Sequence, residues 1–341
     1  MKQSRCDRRS PRSRRGGAGA ALLVIVGALV AGTSGVSGQG VPDDAVPATE
    51  CCLALLFPIG ARALALGNAL TARGTSTGLF VNPASLASVE DQFLVHNAST
   101  SLEDSNTFSL VVAAGLVGTF GLSYRLIDHG EQDARDASGN PTGTLGVLEQ
   151  VLTATYATEV AAGLDAGVSY KLYQFRQDCR GFCGVEGFAA TTHSLDLGVH
   201  YAPGGIRGLE FGAAVVHLGF PLQVINAEQA SPVPTRVRAG AAYEVLHHFS
   251  SDSAHAVHLM ADFVTGVRAS GGPLVNVGAE ATLDGTIFLR AGYAGGTGIT
   301  SGGAVGIGLH YDRFELGIAK GFVSSPIDDT EPVQITFGVR F

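Results

Sequence analysis

Along residues 333–341, apolar side chains fall on every second position. Val333, Ile335, Phe337, Val339 and Phe341 share one face, and Gln334, Thr336, Gly338 and Arg340 share the other. A period of two is the signature of an extended strand, whose successive side chains point to opposite sides. The same pattern sets Val305, Ile307, Leu309 and Tyr311 against Gly306, Gly308, His310 and Asp312. It sets Val275, Val277, Ala279 and Ala281 against Asn276, Gly278, Glu280 and Thr282, and Ala166, Val168, Tyr170 and Leu172 against Asp165, Gly167, Ser169 and Lys171. From Gln92 onward the pattern predicts fourteen strands, near 92–99, 105–115, 117–128, 145–157, 160–176, 187–202, 206–220, 234–245, 254–267, 271–283, 286–296, 301–312, 313–322 and 331–341.

The connections between these strands alternate in length. Short turns fall near Leu116, Thr158-Glu159, Pro203–Gly205, Asp284-Gly285 and Asp312-Arg313, and long loops near 129–144, 177–186, 221–233 and 323–330. Short turns at one end and long loops at the other mark an outer-membrane barrel, with the turns on the periplasmic side. The segment at 246–253 is longer than that rule predicts.

Which face points inward follows from the polar positions. In a soluble sandwich the polar face meets water and is dense in charge. Here it is small and glycine-rich, with charges of both signs: Arg125, Asp165, Lys171, Asp196, Arg236, Arg238, Glu244, Asp262, Glu280 and Arg290. Such a face suits a confined lumen, where these charges must pair with one another. Only 15% of the chain is charged, against about 25% in soluble domains. Yet no stretch beyond the first forty residues has the roughly twenty apolar residues of a membrane helix. The expected fold class is therefore all-β, a transmembrane antiparallel β-barrel of about fourteen strands over 92–341, behind a short N-terminal plug segment. Trp is absent, so Tyr and Phe must supply any interfacial girdle.

Residues 1–38 read as a secretory signal peptide. Seven basic residues precede an apolar core at Ala20–Ala31 and a small-residue cleavage site at Val36-Ser37-Gly38. Without that segment the net charge moves from −8 to −14, which argues against nucleic acid as a partner. Cys51, Cys52, Cys179 and Cys183 then remain, and Cys179 with Cys183 is the candidate disulfide of a small loop.

Residues 39–91 form the expected periplasmic or plug segment. Over 53–91 they do not alternate, and Ala61–Ala72 predicts a short helix that ends before Asn82-Pro83. The run Phe57-Pro58-Ile59-Gly60-Ala61-Arg62-Ala63-Leu64-Ala65-Leu66-Gly67-Asn68-Ala69, followed by Asn82-Pro83-Ala84, resembles the opening signature of the PorV/PorQ family, which is related to the FadL-type fatty-acid transporters. The signature positions are Gly60, Ala61, Arg62, Gly67, Asn82 and Pro83. The chain departs from it at Asn68, where Gly is usual, at Val81, where Trp is usual, and at Arg73-Gly74-Thr75, where an acidic pair is usual. A looser likeness continues through Asp196-Leu197-Gly198, His217-Leu218-Gly219 and Arg290-Ala291-Gly292-Tyr293.

The resemblance implies a FadL-like, plug-filled barrel in the bacterial outer membrane. In some members it implies a part in type IX-like secretion, with secretion-system proteins as partners. The alternative is a FadL-like channel for hydrophobic small molecules, needing an apolar pocket between plug and wall near Leu53, Leu55, Leu56 and Phe57. A continuous apolar cavity would favour transport, and a lumen filled by charges would favour scaffolding. On either reading the chain contacts outer-membrane lipid, and the terminal Phe341 resembles the signal read by the barrel-assembly machinery. No cofactor, metal or catalytic residue is expected. Gly74-Thr75-Ser76-Thr77-Gly78 matches a nucleophile-elbow string but lacks the preceding strand that such chemistry requires. His247, His248, His255, His258 and Asp262 hold metal-ligand chemistry, but they divide between a turn and the lumen. Gly295-Gly296-Thr297-Gly298 lacks the Lys of a phosphate loop and reads as a turn.

Overall fold

A computed structural model describes residues 50–341 except 74, 100–103, 185, 246–254, 268–271, 297–300 and 325–330. The expected signal peptide at 1–38 lies outside the described residues.

Fourteen antiparallel strands pair in sequence order, and β1 closes on β14, giving a barrel without a free edge. They are β1 (Gln92–Ser99), β2 (Asp104–Ala113), β3 (Thr119–Arg135), β4 (Pro141–Ala161), β5 (Leu164–Gly181), β6 (Phe188–Tyr201) and β7 (Leu209–Gly219). The circuit continues with β8 (Arg236–Glu244), β9 (Ala256–Gly266), β10 (Leu274–Leu283), β11 (Ile287–Gly296), β12 (Ser301–Tyr311), β13 (Phe314–Ser324) and β14 (Val333–Arg340). Closure is what lipid demands, since an open edge would leave backbone N–H and C=O groups without partners in hydrocarbon.

The apolar face points outward and the polar face inward. On β3, Phe120, Leu122 and Tyr124 are exposed, while Thr119, Ser123 and Arg125 are buried. On β12 and β13, Val305, Ile307, Leu309, Leu316 and Ile318 are all exposed. Such a continuous apolar exterior is stable only against lipid.

β3, β4 and β5 are longer than the alternation suggests. Residues 129–135, 141–144 and 177–181, expected in loops, belong to strands, and only 136–140 and 182–187 connect them. The physical reason lies on β5. Its outward positions run Val168, Tyr170 and Leu172, then change to Gln174, Arg176, Asp178 and Arg180. The ladder with β4 continues unbroken through the change, to Gly143↔Gly181. Above the apolar band both faces of the ribbon meet water, so the apolar signal fades while the pairing persists. At the β3–β4 tip, Asn140 donates to Asp136 through both its side chain and its backbone, holding that carboxyl below the usual carboxylate range.

One wall feature departs from a regular ladder. Between Leu195↔Leu218 and Leu197↔Val215, Asp196 faces both Val216 and His217. The extra residue is accommodated by His217 at φ 59, a β-bulge that turns its buried side chain into the lumen. The bulge is held by the His217 amide on Asp196 Oδ1 at 2.8 Å, by Lys171 on Asp196 Oδ2 at 2.6 Å and by Thr235 on the His217 carbonyl at 2.8 Å.

Candidate functional site

From Glu50 on, the segment ahead of β1 lies inside the barrel and follows its inner wall from strand to strand. This described part begins at the loop end, where Arg236 of β8 holds Glu50 through two hydrogen bonds of 2.8 and 2.6 Å. It finishes at the turn end, where Asp91 accepts from the amides of Ala113 and Phe341. In between it passes an inward-facing glycine on strand after strand. A Cβ on Gly306, Gly278, Gly167 or Gly121 would come within 2.5–2.8 Å of Ala65, Leu66, Ala84 or Leu86. Side chains at these wall positions would displace the plug, which explains why the lumenal face is so rich in glycine.

All six signature residues are plug-to-wall contacts. Gly60 (φ 93) lies where an added Cβ would meet the His96 ring at 2.6 Å, and the Ala61 amide donates to Thr336 Oγ1 at 2.9 Å. Arg62 grips Glu280. Asn82 donates to the carbonyls of Thr71 and Val199 at 2.8 and 3.0 Å, and accepts from the Ala84 amide at 3.1 Å. Pro83 opens the 3₁₀ turn Pro83–Leu86, where its missing N–H has no cost. The helix expected over Ala61–Ala72 spans only α1, Ala61–Ala65. Gly67 (φ 60) and Asn68 (φ 61) are left-handed and stop it, and Gly67 packs directly on the Tyr293 backbone.

The lumenal charges seat this plug. Arg62, Glu280 and Arg290 form one buried triad. In a second cluster Asp262 accepts from the Thr71 amide at 3.0 Å and hydroxyl at 2.5 Å, while Arg238 reaches Asp262 at 3.0 Å and the Asn68 carbonyl at 2.7 Å. Arg73 pairs with Glu210, and His200 lies between Asp165 at 3.0 Å and Glu210 at 3.3 Å. Arg73 thus engages an acid at the position where the family signature usually carries acids.

Above the plug, at the loop end, lies a cavity of about 450 Å³. The plug supplies Leu53, Ala54 and Phe57; the wall supplies Phe175 and Phe188; the β7–β8 connection folds over it with Leu222 and Val224. That connection is held by a two-way backbone bridge between Leu222 and Ser231, and by the Cys51 amide on the Pro232 carbonyl at 3.0 Å. A disulfide between the adjacent Cys51 and Cys52 forms part of the floor. The polar lining is Glu50, His129, Glu149, Tyr173, Gln177 and Ser231. Tyr173 donates to Glu149 Oε2 at 2.7 Å, and His129 Nε2 lies 3.0 Å from Glu149 Oε1. Predominantly apolar walls with a few convergent polar groups are the usual make-up of a small-molecule site.

The cavity lies where Leu53 and Phe57 direct attention, but its wall residues fall within stretches read from the alternation as loops or strand ends. The signal was the inward period itself. Tyr173, Phe175 and Gln177 continue the lumenal register of β5 after the outward positions have become charged. The cavity lining stops at Ala54 and Phe57, and paired charges and plug occupy the lumen beyond, so both features weighed above are present, at different depths.

The other sequence candidates are dispersed. Ser76 opens the 3₁₀ turn Ser76–Phe80 behind the extended Thr75, with no strand among the described residues before it. His247 and His248 lie outside the described residues, His255 is 3.5 Å from Asp284, and His258 contacts Arg73 at 3.1 Å. Among the described residues no group of three His, Cys, Asp or Glu side chains is placed to hold a metal ion. Gly295 and Gly296 end β11, and 297–300 lie outside the described residues. Cys179 and Cys183 are disulfide-bonded at the tip of β5, with Cα atoms 6.1 Å apart.

No family model matches the chain, and no curated protein does. Solved structures do. The Ralstonia pickettii toluene transporter TbuX matches at TM-score 0.54 and 13% identity, over 83% of this chain and 98% of that one. The Pseudomonas putida toluene transporter TodX matches at TM-score 0.55 and 12% identity, over 83% and 98%. The monoaromatic hydrocarbon channel CymD matches at TM-score 0.55 and 12% identity, over 83% and 97%.

The chain has the fold of these outer-membrane barrels. At this identity the likeness establishes the fold alone, and the PorV/PorQ likeness is a resemblance of residue pattern only.

Proposed function

We propose that this protein is an outer-membrane channel for hydrophobic small molecules, with the loop-end cavity as its outer capture site. The observation that carries the reading is the cavity itself: about 450 Å³, walled by Leu53, Phe57, Phe175, Phe188, Leu222 and Val224, at the barrel end expected to face outside. The described structural relatives bear names of transporters of toluene or channels for monoaromatic hydrocarbons, which agrees with such a cargo. The secretion reading has the signature residues in its favour. In the fold those residues seat the plug, a task common to any barrel filled this way, so they favour neither function. No step of the proposed role needs a nucleophile or a metal.

The test is uptake of radiolabelled ethylbenzene by cells that lack hydrophobic channels of their own, with and without this barrel. Uptake should rise several-fold with the native chain and fall to the background with Ala54→Trp, which fills the cavity from the plug side. Equal uptake with and without the barrel would remove the proposal.

A further inference from the structure

The cavity has an asymmetric polar end. Glu149 receives one bond on each carboxylate oxygen, from Tyr173 and from His129. A carboxylate has about four lone-pair sites, so each oxygen can accept more than one bond. Tyr173 has given its only proton to Glu149, and its oxygen offers acceptor lone pairs alone. The guanidiniums nearest this end have partners of their own. Arg236 spends its planar fork on Glu50 at 2.8 and 2.6 Å, and Arg125 donates to the Ala54 carbonyl at 2.7 Å and to Ser105 at 3.1 Å. Among the described residues that line the cavity there is no lysine or arginine. Beside it on the same wall, Phe175 pairs with Glu149 across the β4–β5 ladder, and the rings of Phe175 and Phe188 stack 5.7 Å apart at 26°.

We infer that the cavity selects uncharged aromatic molecules bearing a hydrogen-bond donor, such as phenols and aromatic alcohols, and rejects carboxylates. The inference rests on the reading of the cavity as a capture site for hydrophobic molecules. The stacked rings receive the planar apolar body. The acceptors at Glu149 and Tyr173 receive the donor. A pure hydrocarbon would leave those acceptors dried and unpaired, and a carboxylate would bring a second negative charge beside Glu149 with no free guanidinium to hold it.

The experiment titrates the full-length barrel in lipid nanodiscs with ethylbenzene, 2-phenylethanol and phenylacetate, three molecules of nearly equal shape, using empty nanodiscs as reference. The native protein should bind 2-phenylethanol about tenfold more tightly than ethylbenzene, the size of one buried hydrogen bond, and phenylacetate most weakly. Glu149→Leu should invert the order of the first two while keeping ethylbenzene binding. Should that variant not fold, Glu149→Gln keeps the volume, removes the charge and should bring phenylacetate to within a few-fold of ethylbenzene. Phenylacetate binding as tightly as 2-phenylethanol, or unchanged ratios in Glu149→Gln, would overturn the inference while leaving the capture site intact. Binding of none of the three would remove the capture site itself.

Discussion

Arg62 of the plug and Glu280 of β10 face each other as fork and carboxylate, with Nε and Nη2 on separate oxygens at 2.8 Å each. Arg290 of β11 adds a third bond, 2.7 Å to Glu280 Oε2. One acid therefore serves two guanidiniums, one from the plug and one from the wall. Removing it would leave two buried cations uncompensated. Glu280→Ala should cost about 3–5 kcal/mol, read as a lower thermal transition in detergent. The triple substitution of Arg62, Glu280 and Arg290 by Met should recover most of that loss, because an apolar trio needs no partner.

The glycine track predicts a position-specific response to volume. Gly167→Val should push Pro83 and Ala84 off the wall and cost about 1–3 kcal/mol, exposing the plug to protease. Gly204→Ala, in the β6–β7 turn where an added Cβ meets nothing within 4 Å, should leave the cleavage pattern unchanged.

Lipid exposure predicts a depth dependence. Ile318 is 47% exposed and lies midway along β13, so Ile318→Arg should cost about 2–4 kcal/mol in refolding from denaturant into liposomes. Arg176→Leu, on the outward face of β5 beyond the apolar band, should change it by less than about 0.5 kcal/mol.

The Cys179–Cys183 disulfide closes a hairpin tip that the β4–β5 ladder and the Phe182 amide on the Thr142 carbonyl already hold. Cys179→Ser with Cys183→Ser should thus speed cleavage within 182–187 and leave the thermal transition of the barrel within about 2 °C, since fraying there is local.

Much of this architecture was legible in the sequence, because lipid imposes one rule on every outward position. The period of two placed β6, β10 and β12 within a few residues of their observed ends. It failed at 129–135, 141–144 and 177–181 for the reason that made it work elsewhere: where lipid gives way to water, Arg176, Asp178 and Arg180 can stand on the outward face, and strand and loop look alike. The plug was legible only in part. Gly60, Arg62 and Asn82 stood out, but their partners at His96, Glu280 and Val199 are more than thirty residues away and no local pattern names them. The cavity was the least legible feature. It joins Phe57, Glu149, Tyr173, Phe188 and Leu222, which converge only once the barrel has closed around the plug.

The most direct measurement is photolabelling of the barrel in membranes with a small hydrophobic diazirine, with and without excess 2-phenylethanol, followed by peptide mapping. Competitor should suppress labelling of peptides carrying Phe57, Phe175, Phe188 and Leu222, while outward residues such as Leu197 and Ile318 label equally in both. Labelling confined to the outward face, with no competitor-sensitive site at the loop end, would contradict the account.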